Sequence, residues 1–265
     1  MTQWLEVIVL GIIEGITEFL PISSTGHLLI AEQWLAYRQS DAFLVIIQGG
    51  AAAAVLVIFK ERLKQLLFEW RAPASRDYLL KLAAAFVITG LGGLELKALH
   101  FALPETATPV GVALLVGGVL FLVVERWLRG RAATGAITWS MAVAIGLAQL
   151  VAAVFPGTSR SGATILIALA MGLSRPVAIE FTFLLGVPTL LAAGALKVVT
   201  HLRHPGSELL NGGMLTLGIV VSAVTAFVAV RWLLRYVQSH TFEGFGWYRI
   251  VVGGAVLLSA LLGRA

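Results

Sequence analysis

EGITEFLPISSTGHLLIA (Glu14–Ala31) and QLVAAVFPGTSRSGATILIA (Gln149–Ala168) interrupt two apolar runs in the same manner, and that echo decides how the chain folds. Aligned on Pro21 and Pro156, the copies stand 135 residues apart, with Ser24 over Ser159 and Thr25 over Arg160. Each is an apolar run, a proline, a cluster of hydroxyl and glycine residues, then another apolar run. The first copy carries acid (Glu14, Glu18) and the second a guanidinium (Arg160). Face to face, they would form one polar pocket from two halves.

Working outward, the chain of 265 residues is 58% hydrophobic and only 12% charged. A soluble domain carries about 25% charged residues, so this composition indicates an integral membrane protein. The apolar runs are continuous rather than alternating, which favours helices over a barrel. Cysteine is absent, excluding disulfides, thiolate metal sites and cysteine nucleophiles. The net charge of +5 fits topology-setting loops and contact with anionic lipid, not nucleic acid. The N-terminus lacks a basic leader and carries Glu6 and Glu14 within its apolar run, so no cleavable signal peptide is expected.

Six segments, near 43–59, 79–96, 109–125, 177–200, 212–234 and 248–264, reach the roughly 17–25 residues needed to span a bilayer. Two more regions, 5–35 and 137–173, contain the polar breaks and read as helical hairpins that enter the membrane and return, where protein or a wet cavity covers their irregular backbone. Of nineteen Lys and Arg, twelve fall in 60–81, 126–131 and 231–249, against five on the opposite side. The basic loops belong in the cytoplasm. The first hairpin then enters from outside and the second from inside. The fold expected is a single all-α membrane domain over 1–265, with six spans and two re-entrant hairpins. It divides into an inverted repeat of about 1–130 and 137–265, an architecture also used by secondary transporters. Gly117-Gly118 and Gly253-Gly254, 136 apart, extend the echo.

Glu14 and Glu18 are four apart and share a helix face. With Arg160 they would cost on the order of 10 kcal/mol if left unpaired in the bilayer, so they face each other or a hydrated cavity. Pro21 ends one helix, and Ser23, Ser24 and Thr25 stand where the next begins. Such a start caps itself with hydroxyls and gathers free N–H groups that bind phosphate. His27, three residues past Ser24, is within helical reach of its hydroxyl. The second break repeats this logic and adds a forked donor, Arg160, flanked by Ser159 and Ser161, with Gly157 and Gly162 permitting close approach of a ligand. The set reads as phosphoryl chemistry: a nucleophile, an acid–base group, an oxyanion clamp, and carboxylates able to hold a cation. A carrier for an anionic lipid is the competing reading.

At these residues the chain resembles the bacterial undecaprenyl-pyrophosphate phosphatase family, also called bacitracin-resistance proteins. The likeness runs on through DAFLVIIQ (41–48), IGLAQLVA (145–152), EFTFLLGVPT (180–189) and GWYRIVVGG (246–254). The resemblance implies a phosphatase of the bacterial inner membrane that removes the terminal phosphate of undecaprenyl pyrophosphate, regenerating the carrier for cell-wall polymers, with a site open to the periplasm. Ser24 would be the nucleophile, although a histidine nucleophile stays open, and His27 its acid–base partner. Thr25, Ser23, Ser159, Arg160, Ser161 and Gly157 would hold the pyrophosphate. Glu18, with or without Glu14, would orient His27 or hold a divalent cation (Mg or Ca). Gly49-Gly50-AAAA allows close helix packing, within the chain or between the subunits of a homodimer. Gly49, Phe155 and the absence of proline in 86–96 depart from the family pattern, outside the catalytic set.

Overall fold

The computed structural model describes residues 3–35, 38–101, 106–203 and 211–262. Arg264, one of the five basic residues counted on the side opposite the basic loops, lies outside the described residues. Eleven helices account for the regular structure of the described part: α1 (Gln3–Thr17), α2 (Ser24–Leu35), α3 (Asp41–Ile58), α4 (Lys60–Phe68), α5 (Pro73–Ala98), α6 (Ala107–Leu128), α7 (Trp139–Val154), α8 (Arg160–Ala170), α9 (Arg175–Arg203), α10 (Gly212–Tyr236) and α11 (Glu243–Leu261). Six of them, α3, α5, α6, α9, α10 and α11, are long and apolar enough to cross a membrane. They coincide with the six spans expected from hydropathy.

Their outward faces are apolar. Val112, Val116, Leu120 and Val123 form an exposed stripe on α6, and Val220, Val224 and Val228 another on α10. Such surface is stable against lipid and unstable in water. Inside, packing relies on small residues. A methyl added at Gly15 of α1 would meet Ser222 O and Thr225 Oγ1 of α10, and one at Gly253 of α11 would meet Gly111 O of α6. Without a hydrophobic force between helices in lipid, such close backbone approach is what joins them. Gly50 is used within the chain, against Ile219 O of α10, whereas Gly49 faces open space.

α1, α2 and α6 begin 136 residues before α7, α8 and α11. The two sets are interleaved: α1 packs on α10, α7 on α5, and α6 on α11. The four short helices of the breaks have 15, 12, 16 and 11 residues. At 1.5 Å per residue each falls short of the roughly 30 Å hydrocarbon core.

Two basic residues are not where their loops suggested. Arg249, assigned above to a cytoplasmic loop, lies in the first two turns of α11 and is wholly buried. The helix starts at Glu243, earlier than the apolar run indicated, because Phe242 and Phe245 pack inward. Lys81 is also buried, donating to Asp77 and to the Ile137 carbonyl. The remaining basic residues keep the charge bias.

Candidate active site

Both breaks are launched by a serine with left-handed backbone, Ser23 at φ 75° and Ser159 at φ 68°. A non-glycine residue in that region stores about 1–3 kcal/mol and persists only where its surroundings enforce it. Each serine caps the helix it starts: Ser23 Oγ accepts from Gly26 N at 3.3 Å, and Ser159 Oγ from Gly162 N at 3.1 Å. The structural equivalents are therefore Ser23 and Ser159, 136 apart, not Ser24 and Ser159. The second break has one more residue between proline and cap, filled by Gly157 at φ +90°, where a Cβ would strike the Val110 backbone. The true register places Ser24 opposite Arg160, each the first residue of its helix.

These two converge on Glu18, in the turn after α1. Ser24 Oγ donates to Glu18 Oε2 at 2.7 Å, and Arg160 Nη2 donates to Glu18 Oε1 at 3.0 Å. The carboxylate and guanidinium are 6% and 17% exposed, so the pair is shielded enough for charge-assisted bonds to hold geometry. Arg160 lies over the Phe19 ring and against Gly186 of α9, where a Cβ would meet Nη1 at 2.6 Å. Its Nε is buried without a protein acceptor. A buried N–H without an acceptor is a costly group that an oxyanion in the site would satisfy.

Glu14 lies one turn back, wholly buried, beside the Glu18 carboxyl. Among the described residues no donor reaches either of its oxygens. Two adjacent carboxyl groups with two orphaned oxygens suit a hard, oxygen-seeking cation. Only two carboxylates stand here; a cluster of three or more metal-ligating His, Asp or Glu does not occur among the described residues.

Not every residue singled out in the sequence faces this point. His27 Nδ1 lies 2.7 Å from the Ser23 carbonyl and Nε2 lies 2.7 Å from the Tyr248 hydroxyl. In the neutral ring Nδ1 carries the proton and Nε2 accepts from Tyr248. The imidazole is thus turned to α11, and the Ser24 hydroxyl is held by Glu18 instead. Ser161 Oγ donates to the carbonyls of Glu18 and Leu20, at 3.2 and 3.1 Å, and Ser159 Oγ lies 3.1 Å from it. Ser161 therefore ties the second break to the backbone of the first. Thr25, half-buried, is in the first turn of α2, and Gly157 turns its carbonyl towards Arg249.

Two residues of the site were missed in the sequence. Tyr248 and Arg249 are adjacent in GWYRIVVGG, and only the early start of α11 brings them beside the breaks. An arginine inside an apolar run was the available signal, obscured by counting it as a loop cation. His27, Tyr248 and Thr17 also line a cavity of about 610 Å3 whose other walls include Ile13, Ile16 and Val252. A second, more apolar cavity of about 810 Å3 lies between α6, α7 and α8.

Residues 7–255 match the family described as bacitracin resistance protein BacA. The chain is 49% identical to an undecaprenyl-diphosphatase of Rhizobium johnstonii over 262 residues, 98% of each chain. It is 49% identical to one of Rhizobium etli over 256 residues, 96% of each. To one of Xanthomonas axonopodis pv. citri it is 45% identical over 259 residues, 97% of each. With both breaks and most of the spanning helices inside the family match, the chain belongs to the BacA family of bacitracin resistance proteins.

Proposed function

We infer that this chain is a membrane-embedded undecaprenyl-diphosphatase, hydrolysing the lipid pyrophosphate to the monophosphate carrier and inorganic phosphate. The observation that carries this reading is the Glu18 carboxylate holding a hydroxyl on one oxygen and a guanidinium on the other, 2.7 and 3.0 Å away. Ser24 Oγ attacks the terminal phosphorus in line while Glu18 Oε2 accepts its proton. The P–O bond to the bridging oxygen breaks, and the lipid monophosphate leaves as an anion that needs no added proton. Water then attacks the phosphoserine: the Ser24 Oγ–P bond breaks, Oγ takes back the proton held on Glu18 Oε2, and the carboxylate so freed accepts the proton of the water, leaving inorganic phosphate. Arg160 turns its free Nε and forked nitrogens to the equatorial oxygens, where charge grows in the transition state.

Glu14 and Glu18 would hold a divalent cation, which supplies neutralisation of phosphate charge. Thr25 and Ser159 stand at helix starts where a pyrophosphate can take up free N–H groups. His27, in contact with Tyr248, forms the polar edge of the 610 Å3 cavity, whose apolar walls suit the first isoprene units. Its hydrogen bonds favour Glu18 over His27 as base for Ser24. A pyrophosphate on a long isoprenoid cannot leave lipid cheaply, which explains a site built between helices. The two broken helix pairs are read as re-entrant hairpins related by inverted topology, with the site open to the periplasmic face of the inner membrane.

The experiment is phosphate release from a C15 or C55 isoprenyl pyrophosphate by purified protein in detergent, with Arg160→Ala alongside. Release that vanishes in the variant supports phosphatase and cradle together. No release by wild type, with or without magnesium or calcium, would favour a lipid carrier. The second apolar cavity gives that alternative its one structural support, and liposomes loaded with substrate on one leaflet would detect transfer.

A further inference from the structure

Among the described residues Arg249 is the largest fully buried side chain, and no carboxylate is paired with it. Its guanidinium is spent on backbone carbonyls. Nη1 donates to Pro21 O at 3.1 Å; Nη2 to Thr158 O at 3.0 Å, Ala113 O at 3.1 Å and Gly157 O at 3.4 Å; Nε to Leu114 O at 3.3 Å. Burying a cation without a counter-ion is costly, so the position needs a reason beyond packing. The acceptors supply one. Pro21 lies two residues before Ser23, and Thr158 immediately before Ser159, so one planar group grips both breaks just upstream of the two strained serines. The Ala113 and Leu114 carbonyls fix that group to α6.

The surroundings are shaped to admit it. A Cβ at Gly117 would fall on the guanidinium, and one at Gly162, in the first turn of α8, would stand 3.0 Å from Nη1. The residue 136 positions before Arg249 is Ala113, so the echo between halves fails here and a single arginine serves both breaks.

We propose that Arg249 is a positioning residue for catalysis: by holding the Pro21 and Thr158 carbonyls to one rigid fork it sets the separation of Ser24 and Arg160. It touches neither substrate nor reacting atoms. Because a misplacement of about 1 Å between reacting groups can cost 10²-fold in rate, its loss acts on turnover more than on binding. This inference rests on the phosphatase reading; Arg160→Ala, assayed in parallel, reports that reading by itself.

The test compares Arg249→Met, Arg249→Lys and Gly117→Ala with wild type for kcat, KM and thermal midpoint in detergent. Arg249→Met is expected to lower kcat about 100-fold with KM within about threefold, in protein that stays monodisperse and folded. Arg249→Lys, which can satisfy some of the carbonyls, should recover about tenfold of that loss. Gly117→Ala keeps the arginine but displaces its head, and should lower kcat at a nearly unchanged midpoint. Wild-type kcat in folded Arg249→Met or in Gly117→Ala overturns the proposal. So does a kcat loss that only follows the fraction unfolded, or failure of all three variants to fold, either of which would assign Arg249 to stability alone.

Discussion

Ser24 and Arg160 are the first residues of α2 and α8, 136 positions apart, and they meet on the two oxygens of the Glu18 carboxylate at 2.7 and 3.0 Å. A nucleophile candidate and a phosphate-binding candidate are thereby fixed relative to each other by one buried group. Neither helix start needs the other for its own cap; the carboxylate joins them.

Replacing Ser24 with Ala should reduce phosphate release by at least about 10³-fold while leaving binding of the lipid pyrophosphate intact. Glu18→Gln should lose a comparable factor, since base and orienting carboxylate vanish together. Steady-state release with farnesyl pyrophosphate checks both. Wild-type rates in Ser24→Ala would transfer the attack to His27 or to water.

Gly186→Ala puts a methyl where Nη1 of Arg160 now lies. The guanidinium must move off Glu18, so kcat should fall by about tenfold or more without loss of folded protein. Arg160→Lys should be more severe, because a point charge cannot replace the fork. Rates from the two variants beside a thermal scan would expose a folding defect.

The His27–Tyr248 bond is open to a double-mutant cycle. If Tyr248 acts by fixing His27, Tyr248→Phe and His27→Gln should each lower kcat/KM by a similar factor, and the double variant should lose no more than either. Additive losses would mean that the two side chains act separately.

Removal of divalent cations by a chelator should abolish turnover and readdition restore it. Glu14→Gln should raise the magnesium or calcium concentration needed for half-maximal rate by about tenfold or more, given that a charged oxygen ligand becomes a neutral one. A metal titration of the variant settles it; an unchanged midpoint would leave Glu14 a structural group.

Stability should separate neighbouring glycines of α3. Gly50→Val forces α3 off α10 at the Ile219 carbonyl and should cost about 1–3 kcal/mol, seen as a lower thermal midpoint. Gly49→Leu enters open space and should leave the midpoint nearly unchanged.

The spans were legible because runs of about 17–25 predominantly apolar residues have few other uses, and the breaks because prolines and hydroxyls interrupted such runs. Glu14, Glu18 and Arg160 followed from the cost of charge in lipid, and Ser24 from its place at a helix start after Pro21 and from the family resemblance. Three things were not legible. The equivalence of Ser23 with Ser159 depends on where each helix starts, and a proline alignment missed it by one residue. His27 faces Tyr248 rather than Ser24 because α11 comes within reach from more than 200 positions away, which helical spacing cannot reveal. Arg249 was mistaken for a loop cation because the boundary of α11 is set by Phe242 and Phe245 packing inward, a tertiary effect.

The seating of α1 on α10 has a bearing on biosynthesis. The two helices are separated by roughly 200 residues of chain, so at about 5–20 residues per second the ribosome needs on the order of 10–40 s to supply the partner. During that interval α1, which carries the buried Glu14, has only its smaller contacts with α2 and α3. α7, by contrast, appears after α5 and can dock at once. α1 therefore reaches its full packing only once α10 has been made, well after α7 can meet α5.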